Sequence, residues 1–371
     1  MNEDKATRYH RLRRRASILG TLLSAGLLAA LLASGGSARL RDIAAAASGQ
    51  SFPGTIIGYV ILLAVISEAV RVPLAYYRGV TLERRYGLST QTSARWWLDH
   101  ARAWVIGLVL AVLGALVVVS LLRWAPERWW LIGAIAFSVA LVLMAQLAPV
   151  VLLPIFYECT PLRREDLVHR LVALADRAGA HALGVFEWRM GDRTRKANAA
   201  LAGIGRTRRI LLSDTLLAEH SDDEIEVILA HELAHHVHHD LWSDIALETG
   251  LILTGFYLAG RSLVWFDGAF GIRGQADVAV LPLLLLVAGA ASVTLMPVFN
   301  ALSRAHERRA DRYALEMTGN APAFVSAIRR LGAQHMAEEQ PSRLVEVLFH
   351  THPPIAARIA AAQAWATPPG R

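Results

Sequence analysis

Six stretches of this chain are apolar over lengths close to the thickness of a lipid bilayer, and they restrict the possible folds more than any other feature. They lie at about 17–34, 55–77, 104–122, 129–153, 245–265 and 278–299. A helix rises 1.5 Å per residue, so about 20 apolar residues cross a hydrocarbon core of about 30 Å. No water is present there to satisfy a backbone N–H or C=O, which leaves the α-helix as the structure for blocks of this length. A content of 54% hydrophobic and 19% charged residues, with mean hydropathy +0.37, does not describe a soluble enzyme of 371 residues. The expected fold is mainly α: a polytopic membrane helical bundle, with charged intervals long enough to form a soluble part.

Charge gives the expected orientation. Lys5, Arg8, Arg11, Arg13, Arg14 and Arg15 precede the first block and carry much of the net charge of +7. A basic cluster before an apolar run is the positive-inside pattern, so the pI near 10.0 calls for a bilayer and no nucleic acid. The small residues at 33–38 would also suit a cleaved leader, so the first block reads as either a signal peptide or a retained helix. If it is retained with its start inside, six crossings place 78–102, 155–244 and 300–371 on the inner side, with short outer loops. Trp124, Trp129 and Trp130 at the link between the third and fourth blocks suit an interfacial aromatic belt. Glu68 and Arg71, one turn apart in the second block, are expected to pair with each other. The stretch 44–54 reads as a small-residue loop.

Chemistry concentrates in the inner intervals. Ser221-Asp222-Asp223-Glu224 reads as a capping box opening a helix whose apolar face is Ile225, Ile228, Leu229 and Leu233. That helix holds His231-Glu232-Leu233-Ala234-His235, an H-E-x-x-H pattern. The two histidines stand one turn apart and can reach one metal ion, with Glu232 beside them to take a proton from a water molecule. The single cysteine, Cys159, excludes an intramolecular disulfide and a thiolate cage, so further ligands must be His, Glu or Asp. Glu307 and Asp311 share a helix face: one can ligate while the other orients a ligand or handles a proton. Alone, the segment around them would read as an exposed charged helix. His239 falls on the ligand face eight residues after His231, and a solvated or supporting role suits it and His236 and His238 better than a second metal. Segments 185–190 and 209–213 read as strands and 163–178 as an amphipathic helix, with 209–213 available to pair with an extended peptide.

Together these segments resemble the integral-membrane zinc metallopeptidases of the Ste24 type, the M48 peptidases that include the type I CAAX prenyl proteases. The resemblance is carried by His231-Glu232-Leu233-Ala234-His235 with Glu307-Arg308-Arg309-Ala310-Asp311. It extends to Tyr76-Tyr77-Arg78 through Glu83-Arg84-Arg85-Tyr86-Gly87-Leu88-Ser89, Leu153-Pro154-Ile155-Phe156-Tyr157, Ala197-Asn198-Ala199-Ala200, and Thr351-His352-Pro353-Pro354 through Arg358-Ile359. It implies a gluzincin-like zinc peptidase domain containing a small β-sheet, with one zinc ion per chain on His231, His235 and Glu307. It further implies Glu232 as general base, Asp311 as proton donor, Asn198 near the substrate backbone, and His352 and Arg358 as cleft residues that bind substrate. The first helix is then retained, giving a membrane domain over 1–154 with about four helices. A peptidase domain over 155–371 follows, interrupted by a membrane hairpin at about 245–299. Six blocks is one fewer than the seven of the eukaryotic prenyl proteases. The substrate implied is an extended peptide or membrane-protein tail, cut at the cytoplasmic face, with CAAX processing and quality-control proteolysis both open. Glu232 argues against a metal-binding transporter or scaffold, which needs no carboxylate beside its histidines. Arginine used almost to the exclusion of lysine suggests a GC-rich bacterial genome, hence a bacterial cytoplasmic membrane, and the oligomeric state stays open.

Overall fold

The structure is a computed structural model that describes residues 4–151, 153–203 and 208–367. Helix α1 (Lys5–Ala33) starts at Asp4, whose side chain accepts a hydrogen bond from the Ala6 N–H, so the basic cluster is helical and continuous with the first apolar block. Gly35 turns the chain at φ 69°, a conformation without Cβ strain only for glycine, into α2 (Gly36–Ala47). Much of the small-residue stretch expected as a loop is therefore helix. Its alanines have high helix propensity but no apolar periodicity to announce it. Ser51 caps α3 (Phe52–Tyr76), which continues through a π-turn at Tyr77–Leu82 into α4 (Glu83–Arg85). Thr92 caps α5 (Ser93–Trp124), and α6 (Trp129–Val151) and α7 (Leu153–Phe156) complete the first part. Glu68 contacts His100 of α5 at 2.7 Å, tying two helices together in place of the expected pairing with Arg71.

The soluble part is built on four short strands: β1 (Cys159–Pro161), β2 (Val185–Trp188), β3 (Ala199–Ala202) and β4 (Arg209–Ser213). Between β1 and β2 runs the amphipathic α8 (Glu165–Arg177). The sheet order is β1-β2-β4-β3, with β2 and β4 parallel and the other pairs antiparallel. Strand β4 is thus paired on both sides and has no edge for a peptide, and the edge strand beside the motif helix is β3. After α9 (Asp214–Glu219) comes α10 (Asp222–Val237), opened by the expected capping box: Glu224 N–H to Ser221 Oγ at 3.3 Å and Ser221 N–H to Glu224 Oε2 at 2.8 Å. Its apolar face packs Ile225, Leu229 and Leu233 into a core with Leu171 and Leu174 of α8, Ile210 and Leu212 of β4, and Phe324.

The remaining helices are α11 (Asp240–Trp265), α12 (Leu281–Thr318), α13 (Ala321–Gln334), α14 (Arg343–Phe349) and α15 (Ile355–Ala366). Among the described residues, five segments are long and apolar enough to cross a membrane: Lys5–Ala33, Phe52–Arg85, Ser93–Trp124, Trp129–Leu147 and Val278–Thr318. The fifth expected block lies in α11, which Asp244, Glu248 and Arg261 make more polar than these and which packs between α6 and α12. Helix α12 has 38 residues, about 57 Å at the helical rise, so the last membrane block and the segment with Glu307 and Asp311 form one unbroken helix.

The two ends of the bundle differ. At one end the Arg41 guanidinium pairs with the Asp277 carboxylate, and Ser37 Oγ bonds the Ala279 carbonyl at 2.7 Å, joining α2 to the loop before α12. At the other, the first turns of α1 meet the soluble part: His10 Nε2 lies 2.9 Å from the Met336 carbonyl oxygen, Arg14 pairs with Glu338, and Glu83 joins Tyr9 to Lys196. The chain start and the soluble part share one end, as an even number of crossings requires.

Candidate metal centre

Two helices converge here. On α10, His231, Glu232 and His235 flank the buried apolar stripe, and α12 presents Glu307 to them. His231 Nε2 lies 3.3 Å from Glu307 Oε2, and His235 Nε2 lies 3.6 Å from Glu307 Oε1. One ligand atom from each of the three residues falls within 4.8 Å of the others. Ligands bonded at about 2.0–2.2 Å to a tetrahedral ion stand about 3.3–3.6 Å apart, so these donors are spaced for a shared cation. Glu307 Oε2 is buried without a well-directed hydrogen bond, although His231 and His352 approach it. Two imidazoles and a carboxylate suit a borderline divalent metal better than calcium or magnesium.

Each histidine is backed by a carboxylate. Asp311 Oδ1 lies 2.9 Å from His231 Nδ1, and both Asp311 oxygens take hydrogen bonds from Arg358, at 2.8 and 2.5 Å. Asp240 Oδ2 lies 2.8 Å from His235 Nδ1, and Asp240 is held in turn by Arg309, with His306 at 3.8 Å. The Asp240 hydrogen bond fixes the orientation of the His235 ring, whereas the short Asp311 contact leaves His231 Nδ1 without a well-directed hydrogen bond. Burial acts to lower the His231 pKa, but Asp311 and Glu307 outweigh it and hold the group at about 9. Burial pushes the Glu232 carboxyl up, against the opposing pull of His231 and His235, toward the range useful to a general base.

A cleft of about 560 Å³ opens over these groups, lined by Asn198, Glu232, Phe324, Ile328, Leu331 and His352 among others. The eight residues expected at the site come together in and around this cleft, though not all in the expected places. Asn198 sits at the entry to β3, its main chain fixed to Ser213 by bonds of 2.8 and 2.9 Å. His352 is 63% exposed, with Nδ1 2.8 Å from Glu307 Oε2 and the ring at the cleft surface. Arg358 reaches the cleft wall, with its Nε and Nη2 engaged by Asp311. Asp311, expected as a proton donor, is buried behind His231 with both oxygens occupied by Arg358, which suits it to orient and not to donate. His239 lies outside α10 in a left-handed conformation at φ 58°, off the ligand face, and His238 bonds back to the Ala234 carbonyl at 2.9 Å. The sequence reading missed Asp240 and Arg309. Only their closeness to His235 and Glu307 in the chain could have pointed to them.

Comparison with known proteins agrees with this geometry. The model of peptidase family M48 matches residues 161–366, and that of the CAAX prenyl protease N-terminal segment, described as five membrane helices, matches 2–158. The chain is 32% identical over 358 residues to the uncharacterized metalloprotease YhfN of Bacillus subtilis, covering 95% of this chain and 84% of that one. It is 25% identical over 320 residues to CAAX prenyl protease 1 of Saccharomyces cerevisiae, covering 81% of this chain and 70% of that protein. The fold superposes on the crystal structure of Ste24p from S. mikatae with a TM-score of 0.86 at 20% identity, covering 96% of this chain and 88% of that one.

Proposed function

Since the chain belongs to peptidase family M48 and is a membrane-embedded metalloendopeptidase of the CAAX prenyl protease type, we propose that it holds one zinc ion on His231, His235 and Glu307 and cuts peptide bonds at the cytoplasmic face. The observation that carries the zinc assignment is the 3.3 and 3.6 Å spacing of the imidazole nitrogens from the Glu307 oxygens. Zinc bound there supplies Lewis acidity, polarising a peptide carbonyl and making a water molecule easier to deprotonate. Glu232, beside the ligands in the cleft wall, takes the proton of the attacking water and returns it to the leaving amine. His352, at the cleft surface, donates to the oxygen on which charge develops. Asp311 and Asp240 hold the two ligand rings, and Arg358 holds Asp311.

An extended peptide adds to the free edge of β3, with Asn198 at its entry, because β4 is enclosed between β2 and β3. The division into a membrane part over 1–154 and a peptidase part over 155–371 fits this reading. The helical hairpin of α11 and α12 returns the chain to the side it left, and the basic start of α1 assigns that side as cytoplasmic, in a bacterial inner membrane. The cleft lies at the membrane end where α1 lends it His10 and Arg13, which suits peptides and tails of membrane proteins as substrates. Prenylated tails are the class suggested by the name of the yeast relative. The test is elemental analysis of detergent-purified protein together with hydrolysis of a fluorogenic peptide. About one zinc per chain and cleavage abolished by Glu232→Gln are expected, whereas wild type without zinc would reject the site.

A further inference from the structure

Helix α14 is poorly anchored by its own packing. None of its residues is buried, and Leu344 is 70% exposed. Yet the chain leaving it, residues 349–354, forms a wall of the cleft and carries His352. What holds this segment is a row of side chains on α12. Arg304 Nη1 donates to the Glu346 carbonyl at 2.9 Å and to the His350 carbonyl at 2.6 Å. Asn300 Nδ2 donates to the Leu348 carbonyl at 2.8 Å and more weakly to that of Val347 at 3.4 Å. Ser303 Oγ donates to the Thr351 carbonyl at 2.9 Å. The last carbonyls of a helix lack intrahelical partners, and here Asn300 takes those of Val347 and Leu348, while Arg304 and Ser303 take the carbonyls of His350 and Thr351 just beyond the helix end.

The spacing links this row to the metal centre. Asn300, Arg304, Glu307 and Asp311 follow at intervals of four, three and four and share one face of α12, with Ser303 at its flank, three residues after Asn300 and four before Glu307. The helix that presents Glu307 therefore also fixes the carbonyls of His350 and Thr351, immediately before His352. Arg304 is the central member: it is buried, its nearest carboxylate is Glu346 at 3.8 Å, and one nitrogen bridges both ends of the last turn. A second tether acts on the same segment, since the His350 ring lies 3.2 Å from Glu338, which Arg14 of α1 also holds.

We infer that Arg304 is a positioning residue for the peptidase reaction: it sets the 346–351 segment so that His352 stands over the cleft beside Glu307. This rests on the peptidase reading, and the test separates the two. Arg304→Ala is expected to keep its zinc, to lower kcat by about 10²-fold through misplacement of His352, and to leave KM within threefold. A purely structural role would predict a loss independent of His352, so the deciding measurement is a double-mutant cycle. In a His352→Ala background, Arg304→Ala should cost less than threefold further. Arg304→Lys, which keeps the charge and its donors but loses the reach and fixed planar geometry of the guanidinium, should fall between wild type and alanine, and it carries the same cycle if the alanine variant does not fold. Hydrogen exchange in detergent should show protection lost over 344–352 and kept over α10. Zinc loss in Arg304→Ala, unchanged exchange at 344–352, or a full loss persisting in the His352→Ala background would overturn the inference. An inactive wild type would instead refute the peptidase reading, with the exchange data still deciding whether Arg304 holds the segment.

Discussion

Asp240 offers a measure of how far the metal centre depends on groups that never touch the metal. Its Oδ2 lies 2.8 Å from His235 Nδ1, and its other oxygen takes Arg309. Replacing it by alanine has two consequences of different size. The Arg309 side chain is 45% exposed, so it turns to water when its partner is lost, and that step costs well under about 1 kcal/mol. The His235 ring loses the acceptor that orients it, and losses of this kind weaken metal binding by about 10–100-fold. At about 1.4 kcal/mol per tenfold, the second effect is about 1.4–2.8 kcal/mol and dominates. Asp240→Asn keeps an oxygen able to accept from Nδ1–H and loses only the charge, so it should fall near tenfold, with Asp240→Ala near 100-fold. Asp244→Asn is the control, because Asp244 is 56% exposed and lies 3.5 Å from His306 without contacting a ligand ring. The assay is zinc retention in detergent against graded chelator buffers, read by elemental analysis. Half-saturation within threefold of wild type for Asp240→Ala, or a greater loss for asparagine than for alanine, would refute this account of His235.

Three other outcomes follow from the same geometry. Glu232→Gln should keep zinc and lose at least 10²-fold in peptide hydrolysis, and activity within tenfold of wild type would remove Glu232 from the role of base. Asp311→Ala leaves the Arg358 guanidinium inside the protein without its carboxylate, so it should destabilise by about 3–5 kcal/mol, with the Asp311→Ala/Arg358→Ala pair costing less than the sum of the two singles; additive losses in thermal unfolding would show that the pair does not act as a unit. In a Cys159→Ser background, a cysteine at Asp267, in the loop between α11 and α12, should react with an impermeant thiol reagent applied to intact cells, while one at His181 in the soluble part should not; the reverse pattern would place the metal centre on the outer face.

The parts of the fold that could be read from sequence are those where physical chemistry acts locally. A run of about 20 apolar residues has few structural options in lipid, and the Ser221 to Glu224 box is complete within four residues, so five of the six blocks and the motif helix emerged close to where the structure has them. Helix α2 escaped notice because Gly36–Ala47 has helix-forming residues and no apolar stripe. The rank of β4 within the sheet escaped for another reason: strand order is set by packing, and a five-residue strand looks alike whether it lies at the edge or in the middle. Asp240 and Arg309 were equally opaque, since nothing local tells a buried, paired charge from the solvated charges around it.

Helix α12 shows most clearly where a reading by hydropathy stops. The change from apolar to charged sequence near Phe299 looks like the end of a membrane helix, yet no helix ends there, and α12 continues to Thr318. That continuity has a consequence for the chemistry. Glu307 lies two turns beyond Asn300, so its position relative to His231 and His235 is set by the same continuous helix, with Pro297 in its interior, that packs against α1 and α11. A ligand on a flexible linker would have to be ordered by the metal at an entropic cost, whereas here the ordering is complete once the bundle folds. Tilt or rotation of α12 among the membrane helices would carry Asn300, Ser303, Arg304, Glu307 and Asp311 together, moving the metal ligand, the support of His231 and the clamp on the His352 segment as one body. The membrane bundle is in this sense part of the frame of the metal centre as well as its anchor.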